Sequence, residues 1–134
     1  MTNTSYTNAT NTGNGYATIT YLNVPTVTSF TSAQSTPTNT NSAISFSLSF
    51  SQNVNSVASS DFSNAGTATG CTFTPSASSG TNFTLNVSGC SEGTLQPQVL
   101  ANQVFGTVTS SNGPSANSPS STTVTIDRTA PTLS

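Results

Sequence analysis

Six side chains carry almost all the reactive chemistry of this sequence: Cys71, Cys90, Asp61, Glu92, Asp127 and Arg128. There is no Lys, His or Trp. Without His or Lys, a serine lacks the usual general bases, which argues against a hydrolytic triad. The three carboxylates stand on separate segments, which argues against paired acid–base work. "TGNGYAT" has glycines but neither the lysine nor the following helix of a phosphate loop. Two cysteines without histidine leave a zinc ion short of ligands. The expectation is a protein with no catalytic residue, no cofactor site and no metal site, hence not an enzyme. Cys71 and Cys90 flank a hairpin with its tip near Ser79-Gly80, so folding about the tip brings them face to face. A cross-strand disulfide is the natural reading, closing a loop of roughly 20 residues worth on the order of 3 kcal/mol; the alternative is two unlinked buried thiols. A persisting disulfide implies an oxidising compartment outside the cytosol.

The elements that would position these groups are legible from hydrophobic alternation. In "SAISFSLSFSQNV", Ile44, Phe46, Leu48 and Phe50 alternate with Ser45, Ser47, Ser49 and Ser51, the period-two signature of a strand with one buried face. "TNFTLNVSG" repeats it: Phe83, Leu85 and Val87 inward, Asn82, Thr84, Asn86 and Ser88 outward. Val124 and Ile126 mark a further strand, and so does Phe73. Val27 and Phe30 break parity, as at a bulge. Val57 and Phe62 anchor a short segment. Leu95 to Val99 reads as one strand, with Pro97 an obstacle to its pairing. Asn112-Gly113-Pro114 and Ser78-Ser79-Gly80 read as turns. No stretch carries helical periodicity. Seven short strands over about 100 residues predict an all-β antiparallel sandwich.

The polar surface is built from Ser, Thr, Asn and Gly rather than from charge, for the net charge of 134 residues is only −2. Such a surface depends little on salt and offers nothing to a phosphate backbone, so no nucleic acid is expected as partner. No apolar run reaches the length of a membrane span. "MTNTSYTNATN" lacks the basic and apolar regions of a signal peptide. Asn-x-Ser/Thr sequons occur at Asn3, Asn8, Asn82 and Asn86. In so Asn/Ser/Thr-rich a chain they arise readily by chance, although Asn82 and Asn86 fall on an outward strand face where a glycan would fit. Thr-x-Thr pairs such as Thr72/Thr74 and Thr123/Thr125 suit solvent-facing strand positions; an ice-binding or carbohydrate-binding face has only the polar surface in its favour.

The end of the sequence repeats its beginning. "LNVPTVTS" at 22–29 and "RTAPTLS" at 128–134 share a Pro-Thr-apolar core, and Pro131 follows Pro25 by 106 positions, about the size of one immunoglobulin-like unit. From about Pro25 to Ser134 the chain resembles the bacterial Ig-like repeats of large surface proteins and adhesins. The residues that carry the resemblance are "VTIDRTAPTLS", with its Ile-Asp-x-Thr-Ala-Pro linker, "VASSDFSNAGTATGCTF", "FTLNVSGCSEGT" and "SFSLSFSQNV". The resemblance implies an immunoglobulin-like sandwich of about seven strands, a tandem repeat at the cell surface, and neighbouring Ig-like repeats as partners. Calcium bridging between repeats is not implied. The acidic segment of many such repeats is replaced here by "VFGTVTSSNGPSANSP", and Asp61 and Asp127 alone fall short of six oxygen ligands.

One strand remains over. "YATITYL" (Tyr16, Ala17, Thr18, Ile19, Thr20, Tyr21, Leu22) alternates like the others and needs an edge to pair with. It is expected either to belong to its own sandwich edge or a preceding domain, or to be donated to an identical subunit, which would build a filament. The expected organisation is thus a polar segment at 1–23 containing the strand 16–22, a sandwich at 24–128, and a linker or first strand of a following repeat at 129–134. The function expected is an extracellular structural spacer of an adhesin-like array, with a self-assembling filament subunit as the alternative.

Overall fold

A computed structural model describes residues 23–129. The candidate donor strand 16–22, the sequons at Asn3 and Asn8, and residues 130–134 lie outside the described residues. Within them the fold is all-β, with eleven short strands and one 3-10 turn at Ser59–Asp61. The strands are β1 (Val27–Thr31), β2 (Ile44–Asn55), β3 (Phe62–Asn64), β4 (Thr72–Pro75), β5 (Gly80–Ser88), β6 (Gly93–Leu95), β7 (Pro97–Val99), β8 (Val104–Gly106), β9 (Ser111–Gly113), β10 (Ser118–Pro119) and β11 (Val124–Ile126).

The largest sheet runs β9-β8-β2-β5-β4, with β1 also paired to β2. Two smaller sheets, β10-β7-β3 and β11-β6, complete the antiparallel, sandwich-like arrangement. Alternation along β2 is as expected: Ile44, Phe46, Leu48 and Phe50 are buried, Ser45, Ser47 and Ser51 exposed. Its partner β5 buries Phe83, Leu85 and Val87. Opposite them the small sheets bury Leu95, Val99 and Val124, and all these residues belong to one apolar cluster. Each such side chain contributes roughly 1.5–3 kcal/mol by leaving water. Phe62 of a small sheet stacks on Phe73 of the large one at 6.3 Å between ring centroids, tying the layers together.

The expected irregularity in the first strand is a bulge. Val27 pairs with Phe50 and Ser29 with the adjacent Ser49, so Thr28 is the extra residue. After β1 the chain crosses to the other layer. Thr38 forms a parallel bridge to Ile126, through Thr38 N to Thr125 O at 2.9 Å and Asp127 N to Thr38 O at 2.8 Å.

Three expectations need correction. Leu95–Val99 is not one strand but two, β6 pairing with β11 and β7 with β3 and β10. The break falls at Gln96, whose amide donates to the Asn64 side chain at 2.7 Å instead of to a neighbouring strand. Pro97, which has no N–H to lose, then starts the second piece. Asn112-Gly113 is not a turn but lies in β9, where Asn112 opposes Phe105. Gly113 sits against the backbone of Pro25, and a side chain there would overlap the Pro25 carbonyl. The hairpin β8–β9 is therefore an addition to the seven expected strands, docked on the far end of β2 through Val54 and Asn55.

Candidate functional site

The side chains that do the most specific work lie at the two ends of the molecule, where the described chain enters and leaves the sandwich. β2 measures the distance between them. Gln52, near its carboxyl end, lies eight residues beyond Ile44, about 26 Å at ~3.3 Å per residue.

The entry end is held by an amide. Gln52 Nε2 donates to Asn23 O at 3.0 Å. Its Oε1 accepts from Val108 N at 3.2 Å, Thr109 N at 3.3 Å and the Thr109 hydroxyl at 3.2 Å. One side chain thus joins the incoming backbone to the β8–β9 loop. Pro25 is fully buried against Gly106 and Gly113, and Thr26 O accepts from Ser51 N at 2.8 Å. Among the described residues this end carries no ionisable side chain. Val108, at 74% exposure, is the one large apolar side chain left in solvent among the described residues.

The exit end is held by charge and sulfur. Cys71 and Cys90 form the expected disulfide, with Cα atoms 4.2 Å apart. Each cysteine follows a glycine in the left-handed region, Gly70 at φ 73° and Gly89 at φ 75°. Such angles suit glycine because a β-carbon is disfavoured there. Among the described residues the Arg128 guanidinium makes no ion pair. It donates from Nε to Thr40 O at 3.1 Å and from a terminal nitrogen to Cys90 O at 3.0 Å, capping two backbone carbonyls. Glu92 Oε1 receives Arg128 N at 2.8 Å, Thr129 N at 3.0 Å and the Thr129 hydroxyl at 2.8 Å. The Thr129 hydroxyl, followed by the Arg128 amide, holds the Glu92 carboxyl below the ordinary carboxylate range.

Asp61 takes part in neither set of contacts and belongs to the 3-10 turn. It is buried, and its Oδ2 accepts from Ala58 N at 2.9 Å. Burial raises its pKa, with the Ala58 hydrogen bond opposing. Among the described residues no three His, Cys, Asp or Glu gather as metal ligands, and no helix is long and apolar enough to cross a membrane.

Asn82 and Asn86 occupy the outer face of the large sheet. Asn82 is exposed and its Oδ1 accepts from the Ser49 hydroxyl at 2.8 Å; Asn86 is half-buried and accepts from Ser45 at 2.7 Å. A shallow depression of about 370 Å³ opens beside Asn82, lined also by Ser47, Ser49, Ser76 and Thr84. A second, of about 360 Å³, runs along β1 beside Pro119 and Ser121. The sheet edges are partly capped: the Ser121 amide and hydroxyl both donate to Phe30 O, and the Ser59 hydroxyl donates to Phe73 O.

Sequence reasoning found the disulfide and singled out Arg128 as the lone cation, but not what Arg128 binds. It missed Gln52 and Asn64. Asn64 makes all four hydrogen bonds an amide can make: to Ala68 O and Thr94 O, and from Gly66 N and Gln96 N. A glutamine or asparagine in so amide-rich a chain carries no mark of such a role. Compared with known protein families, curated proteins and solved structures, the chain matches none.

Proposed function

We propose that this chain is a non-enzymatic spacer unit of an extracellular bacterial surface protein, an immunoglobulin-like repeat of an adhesin-like array. The observation that carries the reading is the placement of entry and exit at opposite ends of β2, each tied down by side chains. Gln52 holds Asn23 at one end, while Glu92 and Arg128 hold the chain at the other. A unit threaded end to end transmits position along its length, which is what a stalk requires.

Three further features support it. The run β1-β2-β5-β4 within the large sheet, β3 beside β7 in a small one, and the parallel bridge from the segment after β1 to β11 support an immunoglobulin-like reading. The Ile-Asp-x-Thr-Ala-Pro motif begins at Ile126, where the last strand ends. The disulfide fits an oxidising location at the cell surface. In this reading the partners are neighbouring repeats. A glycan, where attached, sits at the exposed Asn82 rather than the half-buried Asn86.

The groove along β1 favours a second reading, in which the strand 16–22 of an identical subunit adds to that edge and builds a filament. The Ser121 amide and hydroxyl occupy the Phe30 carbonyl on that edge, which favours the spacer. Size-exclusion chromatography with light scattering, and electron microscopy, separate the two. The spacer is expected to remain monomeric at high concentration. Fibres that vanish when residues 1–22 are removed would overturn it in favour of the filament subunit.

A further inference from the structure

We propose that Glu92 is a latch that fixes the direction in which the backbone leaves the sandwich, and that neutralising its carboxylate releases Arg128 and Thr129. The biological use of such a latch rests on reading 129–134 as a linker; the latch itself belongs to a single folded chain.

The geometry is a chelate. One oxygen, Glu92 Oε1, collects three donors from two consecutive residues: Arg128 N, Thr129 N and the Thr129 hydroxyl. Those donors belong to the second and third residues beyond β11, so their capture sets the exit angle. Glu92 itself is fixed by what lies beside it in sequence, Cys90 in the disulfide and Gly93 at the start of β6. The latch residue is therefore anchored to the rigid body, and the residues it holds are not otherwise anchored through their amides, apart from Asp127 Oδ1 sharing Thr129 N at 3.0 Å.

The charged groups around it are few enough to enumerate. Asp127 faces both the same Thr129 amide and the Glu92 carboxyl, and among the described residues it is the only other carboxylate side chain at this end. Arg128 directs its guanidinium to Thr40 O and Cys90 O rather than to Glu92. Asp61 belongs to the 3-10 turn and is not among the partners of Glu92. Among the described residues, the three donors thus bind the Glu92 anion without a competing cation. A neutral carboxyl is a weaker acceptor than a carboxylate, so protonation loosens all three bonds together. The depressed pKa of Glu92 places that release below its ordinary 4.5.

The test uses the full chain, labelled with nitrogen-15, at a concentration where it is monomeric. The Arg128 and Thr129 amide resonances are expected to shift together as pH falls, with a shared midpoint below 4.5. The Thr38 amide, bonded to Thr125 O, serves as a reference for intact folding. In Glu92→Ala the two exit amides exchange with solvent several-fold faster at neutral pH and the Arg128 amide, which has no second carboxylate partner, loses the acid transition, while Thr38 is unchanged. Glu92→Gln keeps an oxygen acceptor, so it gives intermediate exchange and no transition at the Arg128 amide; it also stands in should the alanine variant fail to fold. An Arg128 amide that titrates as in the parent when Glu92 is replaced, or Arg128 and Thr129 amides that exchange at the unprotected rate in the parent, would overturn the latch. Because the readout is residue-specific in a monomer, it holds whether or not the chain proves to be a spacer.

Discussion

The two ends of this molecule solve one problem with different chemistry. At the entry, Gln52 and Pro25 hold the backbone by neutral hydrogen bonds and by close packing on Gly106 and Gly113. At the exit, a disulfide, a guanidinium and a carboxylate do so. Neutral amide contacts are indifferent to pH and salt, whereas the exit responds to acid and to reductant. Three of the four charged side chains, Glu92, Asp127 and Arg128, are concentrated at that one end. Holding a chain in place does not require charge; making the hold responsive to its surroundings does.

The largest expected break in this comparison is at the sulfur bridge. Replacing Cys71 and Cys90 by serine should lower stability by about 3 kcal/mol, the chain-closure value for a loop of this size. Urea denaturation shows it, and reductant should reproduce the loss in the parent but not in the variant. Next is Gln52→Ala, which leaves Asn23 O, Val108 N and Thr109 N without their partner. With the site half-buried, about 1–2 kcal/mol is expected, and the loss should be the same at pH 5 and pH 8. Gln52→Glu sharpens the contrast by giving the entry a titrating group where Nε2 now donates to a carbonyl. A pH-dependent melting temperature confined to that variant is the expected result.

Arg128→Ala should cost about 1 kcal/mol through the loss of two carbonyl caps. The cost should persist in molar salt, because the guanidinium binds backbone carbonyls rather than a carboxylate. An effect erased by salt would mean that it acts through Glu92 after all. The smallest effects are the opposed pH slopes of the two shifted carboxylates. Glu92 titrates lower folded than unfolded, so its stabilisation is present above 4.5 and is lost as pH falls through its folded pKa. Asp61 titrates higher folded than its ordinary 3.8, so its contribution is greatest below that value and is lost as pH rises through its folded pKa. Melting temperatures of Glu92→Gln and Asp61→Asn between pH 2.5 and 7 should deviate from the parent in opposite directions.

Much of the fold was legible because burial imposes period two on a strand. The serine–apolar alternation of β2 and the parallel run in β5 located the core, and parity failure located the bulge at Thr28. The cysteines were legible because each ends one arm of a single hairpin. The strands that misled are those where pairing is decided by side chains from afar. Leu95–Val99 splits because Asn64, 32 residues away in sequence, captures the Gln96 amide. Gly113 joins a strand because Pro25 packs against it. Neither event leaves a local pattern. The end-clamps were hidden for a related reason: Gln52 and Glu92 act through backbone groups, and backbone partners have no letter in the sequence.

The bridge between Cys71 and Cys90 has one more consequence. It encloses a sequence separation of 19. When a unit is pulled open between its ends, those residues stay behind the covalent bond and add nothing to the unravelled contour, withholding about 65 Å at ~3.4 Å per residue. A tether built from such units would lengthen less per opened unit in oxidising surroundings, and its reach under load would be set by the redox state of the medium.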